Sequence, residues 1–168
     1  MKTDLIKDFV SYLNNQVENH CAYLWGGQGE YIQKTKIKTI VNMETSDENV
    51  ARVLEFIASC YRKKYDMKKS RFFDCSGLIV NWLLSKGLIK SDMTAAGLYE
   101  MCEKIDIADM KTGDLVFKKD KTGKVVHVGA CVDGKKKLIV ESYGRDKGVV
   151  KNELGKGASD FRYCGRIR

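Results

Sequence analysis

Val125-Val126-His127-Val128-Gly129-Ala130-Cys131-Val132, then Asp133-Gly134, then Leu138-Ile139-Val140-Glu141-Ser142-Tyr143, reads as two β-rich runs joined through a turn. That pattern is an antiparallel hairpin. Further short runs of the same texture flank it: Asp114 to Lys118 before, Val149 to Asn152 and Phe161 to Ile167 after, with Lys121-Thr122-Gly123 as another turn. Five strands of a meander are therefore expected in the second half of the chain. The first half has a different period. Leu5, Ile6, Phe9, Val10, Leu13 and Val17 recur at helical spacing, so residues 3 to 18 read as an amphipathic helix. Thr45 with Glu48 fits a capping box, and Val50, Val53, Leu54, Ile57, Ala58 and Tyr61 carry a second helix to about Lys64. Leu78, Ile79, Trp82 and Leu83 mark a third, buried helix ending at Gly87. A fourth runs from about Ser91 to Cys102, with Ser91 or Asp92 as cap. Helices first and an antiparallel sheet second is the α+β class, with the helices laid on one face of the sheet.

The 168 residues, 43% hydrophobic, suffice for one domain with its own core, and no Pro-, Gln- or Ser-rich tract divides them. A single domain over 1-168 is expected, made of the 1-18 helix, a 30-70 stretch containing a helix, and a 71-168 core. Thirty Lys and Arg against 22 Asp and Glu give a net charge of +8, a field that attracts polyanions without naming one. The runs Lys34-Thr35-Lys36, Lys118-Lys119 and Lys135-Lys136-Lys137 read as solvated faces or turn tips. Met1 to Gln16 carries Lys2, Asp4, Lys7 and Asp8 and lacks the apolar core of a signal peptide, so synthesis in the cytoplasm with exit by another route is expected. No segment reaches the length of a membrane span.

Six cysteines lie at 21, 60, 75, 102, 131 and 164 with no C-x-x-C pair. Most read as reduced, buried residues. With only His20 and His127 beside them, no zinc-ligand spacing exists, so neither a metal nor another cofactor is expected. Cys75 differs from the other five. It stands at the start of the third helix, where the dipole and free backbone N–H groups favour thiolate, and its own N–H could help hold an oxyanion. A base must lie close in space. His127, on a strand face shared with Val125 and Gly129, could meet Cys75 if a helix covered that face; His20, at the end of the first helix, is the other candidate. Glu141, on the neighbouring strand, is either the acceptor that orients the imidazole or an outward-facing polar residue. Tyr23-Leu24-Trp25-Gly26-Gly27-Gln28-Gly29 sets aromatics before a glycine-rich turn, and it lacks the Lys-Ser/Thr ending of a phosphate-binding loop.

Together, Tyr23-Leu24-Trp25-Gly26-Gly27, Phe73-Asp74-Cys75-Ser76-Gly77-Leu78, Gly113-Asp114-Leu115-Val116-Phe117 and His127-Val128-Gly129 resemble, in content and order, the NlpC-type cell-wall cysteine peptidases. The resemblance spans roughly residues 20 to 152. It implies a papain-like α+β fold and a Cys-His-polar triad that hydrolyses the γ-D-glutamyl to diamino-acid bond of peptidoglycan stem peptides. Cys75 and His127 match the family positions, and Glu141 occupies the strand of the third member. Tyr23 matches a tyrosine whose hydroxyl lies near the nucleophile, while Asp74 and Ser76 match residues lining the pocket for the amino end of the stem peptide. The long stretch between the Trp-Gly-Gly segment and Cys75 resembles phage-associated versions, which implies action at the cell wall after phage-type release. Stem peptides, and anionic wall polymers through the basic charge, are the expected partners; nucleic acid and membrane are not. A wall amidase of the CHAP type and a non-catalytic basic wall-binding module are the alternatives.

Overall fold

A computed structural model describes all residues from Met1 to Arg168. Helix α1 (Thr3–Glu18) turns Phe9 and Leu13 inward. There Phe9 packs on Trp82, ring centroids 4.5 Å apart, and the Trp82 indole N–H donates to Asp8 at 2.7 Å. A small sheet follows. Strands β1 (Ala22–Tyr23), β2 (Gln28–Tyr31) and β3 (Arg71–Phe73) form it in the order β1-β3-β2, with β1 parallel and β2 antiparallel to the central strand. Between β2 and β3 lie helices α2 (Ile37–Met43) and α3 (Asp47–Arg62). Their apolar faces bury Ile40, Val53 and Cys60 against Ala22, Leu24 and Phe72 of this sheet region, forming a core of their own.

The second half of the chain starts with α4 (Gly77–Ser85) and α5 (Ala95–Met101) and continues through β4 (Glu103–Ile105), β5 (Leu115–Lys119), β6 (Val125–Asp133), β7 (Leu138–Gly144), β8 (Gly148–Glu153) and β9 (Tyr163–Arg166). These strands form one antiparallel sheet in the order β4-β9-β5-β6-β7-β8. The architecture is α+β as expected, with six strands in the main sheet where five were expected. The added one, β4, is short and carries exposed Glu103 and Lys104, so it shows no apolar alternation. Leu78, Ile79, Trp82 and Leu83 of α4 join Phe9 and Leu13 over one face of the large sheet, against Leu115, Phe117, Val128, Ala130 and Val140. The opposite face carries a second cluster of Val116, Cys131, Ile139, Phe161 and Cys164.

Three local expectations are corrected. Ser46, not Thr45, caps α3: its hydroxyl accepts from the Asn49 N–H at 3.2 Å, while Thr45 accepts from the Asn49 side chain. Thr94, not Ser91 or Asp92, caps α5, which is correspondingly shorter. In each case neighbouring polar residues compete for the cap, and chain entry angle decides among them. The third correction concerns His127. Pairing of Lys118 with His127 and Lys119 with Val125 leaves Val126 bulged, so Val125 packs with Val128 and Ala130 under the helices. His127 stacks instead on Phe161, whose cluster includes Cys131, on the opposite face. A bulge inserts one residue and reverses the facing of all that precede it.

Two hydrogen bonds tie the region of the small sheet to the large one. The Ser142 hydroxyl donates to the Phe73 carbonyl at 2.8 Å, and the Val149 N–H donates to the Cys21 carbonyl at 2.9 Å. No helix is long and apolar enough to cross a membrane.

Candidate active site

Between the end of β3 at Phe73 and the start of α4 at Gly77 there are only three residues, Asp74, Cys75 and Ser76. Asp74 anchors both sides of this link. Its Oδ1 accepts from the Gly77 N–H at 2.6 Å and the Ser76 hydroxyl at 3.2 Å, and its Oδ2 accepts from the Gly26 N–H at 3.1 Å. Burial raises the Asp74 carboxyl above its ordinary value, against the lowering effect of these donors. The Trp-Gly-Gly turn is thereby clamped to the helix start so closely that a Cβ on Gly77 would come within 2.0 Å of the Gly27 carbonyl oxygen. Gly26 takes φ +73°, a conformation that costs glycine little. Cys75 sits at the mouth of this clamp, half-buried, and the backbone N–H groups of Cys75 and Ser76 take no acceptor within the chain.

The other five cysteines are buried and unbridged. Burial pushes their thiols upward, Cys102 and Cys131 to about 11 and Cys21 and Cys164 to about 12, which keeps them protonated and inert.

His127 extends from β6 with its Nε2 2.6 Å from Glu141 Oε2 on β7. That leaves Nδ1 as the ring nitrogen free for Cys75. Burial disfavours charge on the ring, yet the hydrogen bonds it donates to Cys75 and Glu141 and the charges of both outweigh it, raising His127 to about 9. Glu141 is fully buried and receives two further bonds, from the Ser159 N–H at 2.8 Å and the Ser159 hydroxyl at 2.5 Å. It is an orienting acceptor in geometry, not an outward-facing polar residue. Phe161 lies parallel to the imidazole, with centroids 5.4 Å apart and planes at 10°. His20 is elsewhere: it stacks on Tyr65 at 3.7 Å, beside a different cavity under α3 and β8.

Cys75 and His127 open onto a groove of about 530 Å³ that Tyr23, Asp74 and Ser76 also line. Five of the six sequence-derived candidates therefore line one groove, and the sixth, Glu141, is buried behind His127. Tyr23 is buried, which raises its phenol, and the guanidinium of Arg145 lies 5.0 Å from its ring centroid. Arg145 forms a two-pronged pair with Glu44, its Nε 3.0 Å and its Nη2 2.8 Å from Oε2. The Glu44 side chain is fully buried and accepts as well from the N–H groups of Trp25 and Thr45, each at 3.1 Å. Burial opposes its charge, and Arg145 with those N–H groups outweighs it, holding the carboxyl below its ordinary value. Ser159, Phe161, Glu44 and Arg145 escaped the sequence reading. Each acts at the site through a partner distant in the chain, and none carries a local motif.

A model of the NlpC/P60 family matches residues 62–168. No curated protein sequence matches the chain significantly. Among solved structures, the NlpC/p60 domain of the peptidoglycan hydrolase SagA is 16% identical with a TM-score of 0.59, the match covering 95% of this chain and 96% of that one. The P60 domain of an antigen from M. avium subspecies paratuberculosis is 17% identical with a TM-score of 0.58, covering 97% of each chain. RipD from Mycobacterium tuberculosis, described as a non-catalytic NlpC/p60 domain protein adapted to peptidoglycan binding, is 17% identical with a TM-score of 0.59, covering 97% and 98%. A match to an NlpC/P60 family protein from Bacillus cereus covers 57% of this chain and only 32% of that one, at 21% identity and a TM-score of 0.50. Because the family model spans more than half of the sequence, from the end of α3 through the Cys75 link, β6 and β7 to Arg168, the chain belongs to the NlpC/P60 family.

Proposed function

We propose that this protein is a peptidoglycan hydrolase, a cysteine endopeptidase that cleaves the γ-D-glutamyl to diamino-acid bond of stem peptides. The observation that carries the reading is the placement of His127 between Cys75 and a buried, fully hydrogen-bonded Glu141 at the wall of an open groove. In this mechanism the Cys75 thiolate attacks the scissile carbonyl. The developing oxyanion is received by the free N–H groups of Cys75 and Ser76, with the Tyr23 hydroxyl nearby. His127 then gives its proton to the leaving amine and, as base, activates the water that releases the acyl group. Glu141 holds the ring and favours imidazolium throughout. Asp74 serves chiefly to set the Cys75 turn, since both its oxygens are occupied by the chain's own donors.

On this reading the whole chain works as one domain at the cell wall, after a release of the phage type, and its charge of +8 adds attraction to anionic wall polymers. Digestion of purified peptidoglycan followed by fragment masses tests activity and bond together. The γ-D-glutamyl cleavage products are expected, and they should vanish in Cys75→Ala and His127→Ala. Products of a different wall amide would favour the CHAP-type amidase. The non-catalytic RipD makes a binding module the second reading. Salt-sensitive wall binding with no released fragments would establish that instead; the retained Cys75-His127-Glu141 geometry speaks for the enzyme.

A further inference from the structure

We propose that Arg145 determines specificity by recognising the free α-carboxylate of the glutamyl residue whose γ-carbonyl Cys75 attacks. The inference rests on the endopeptidase reading. Arg145 borders the same groove as Cys75 and His127, and its side chain is 15% exposed, so it is largely shielded from bulk solvent. Glu44 takes up Nε and Nη2, while Nη1 has no partner within the protein. The guanidinium is thus held in one orientation with a pair of N–H donors to spare. Preorganisation of this kind removes much of the ordering cost of ligand recognition.

The acidic groups near the groove do not compete for an anion. Glu44 is wholly buried behind Arg145, and the Asp74 oxygens are turned onto the Gly26 and Gly77 N–H groups and the Ser76 hydroxyl. Lys124, the groove's one lysine, belongs to the exposed turn before β6 and has no comparable support. The chemistry of the substrate then selects the ligand group. A γ-linked glutamyl residue keeps its α-carboxylate, separated from the scissile carbonyl by a short aliphatic spacer. An anion therefore enters the groove with every productive substrate, and a planar guanidinium is the group suited to it.

The test compares L-alanyl-γ-D-glutamyl-L-lysine with the same peptide bearing an α-carboxamide, on the wild-type chain, Arg145→Lys and Arg145→Ala. The wild type is expected to favour the carboxylate by about ten- to a hundredfold in kcat/KM, the range for a charge-assisted hydrogen bond. Arg145→Ala should erase that preference, and Arg145→Lys should keep part of it. Equal turnover of both peptides by the wild type, or a preference that persists in Arg145→Ala, overturns the proposal. A preference that appears only when lysine is replaced by diaminopimelate, which carries a carboxylate of its own, overturns it too. Calorimetric binding of both peptides to Cys75→Ala separates this inference from the hydrolytic one. Tighter binding of the carboxylate form without turnover by the wild type would fail the hydrolase and keep Arg145, whereas equal affinities fail Arg145. The wild-type comparison stands even where Arg145→Ala folds poorly.

Discussion

Glu141 shows how much one buried carboxylate can organise: it receives His127, the Ser159 N–H and the Ser159 hydroxyl at once. Its substitution by Gln keeps one acceptor for the ring N–H, and the Ser159 hydroxyl can rotate to accept from the new amide. Activity on wall suspensions should therefore fall about ten- to a hundredfold, short of a full loss of positioned proton transfer. The pH profile gives a sharper readout. His127 is raised to about 9 from its ordinary 6.5, so its proton is present through neutrality and lost as pH climbs through about 9. Any stability linked to this charge is likewise complete below the unfolded value and disappears across the same window. Glu141→Gln removes one raising influence, so the alkaline limb of the activity profile should move to lower pH; an unmoved limb would separate Glu141 from the imidazole. Cys75, His127 and Glu141 were legible in the sequence because each falls in a recognisable run. Ser159 was not, for it approaches Glu141 from 18 positions away out of a loop rich in small residues.

Among the elements, those with a clear period were legible and those without were not. Helix α1 lies where its apolar stripe puts it, and β5 to β9 follow the five β-rich runs to within a residue or two at most ends. Helix α2 escaped because it is seven residues long and buries Ile40 alone. The bulge at Val126 was equally hidden, since a single extra residue in a strand leaves no compositional trace, yet it decides that Val125 turns to the helices and does not share the face of His127. Ser46 makes a direct test of the cap correction. Removing its hydroxyl from the exposed start of α3 should lower stability by ~1 kcal/mol in chemical denaturation, while Thr45→Ala should cost clearly less. Equal losses would return the cap to both residues.

On the scale of the whole molecule, the site straddles the two sheets. Cys75 follows the last strand of the small sheet, whereas His127 and Glu141 belong to the large one. Ser142 bonding to Phe73, 69 positions away, and Arg145 bonding to Glu44, 101 positions away, hold the halves in register. Such long-range ties are invisible to any local pattern, which is why the sequence reading found the groove's residues but not what keeps them together. Activity should accordingly be lost at lower urea concentration than far-UV circular dichroism, because a small slip between the sheets separates thiol from imidazole before either sheet melts. Ser142→Ala, which removes this tie and leaves the buried Phe73 carbonyl with only the Leu24 N–H, should widen that gap; coincident midpoints in both proteins would show that the sheets separate only on global unfolding. The same arrangement governs when reactivity begins during synthesis. A ribosome delivers Cys75 with its helix first, and the base, its orienting carboxylate and Ser159 only later. A chain interrupted partway holds a lone thiol with no imidazole beside it, so nucleophilic power arrives last, with the docking of the finished sheet.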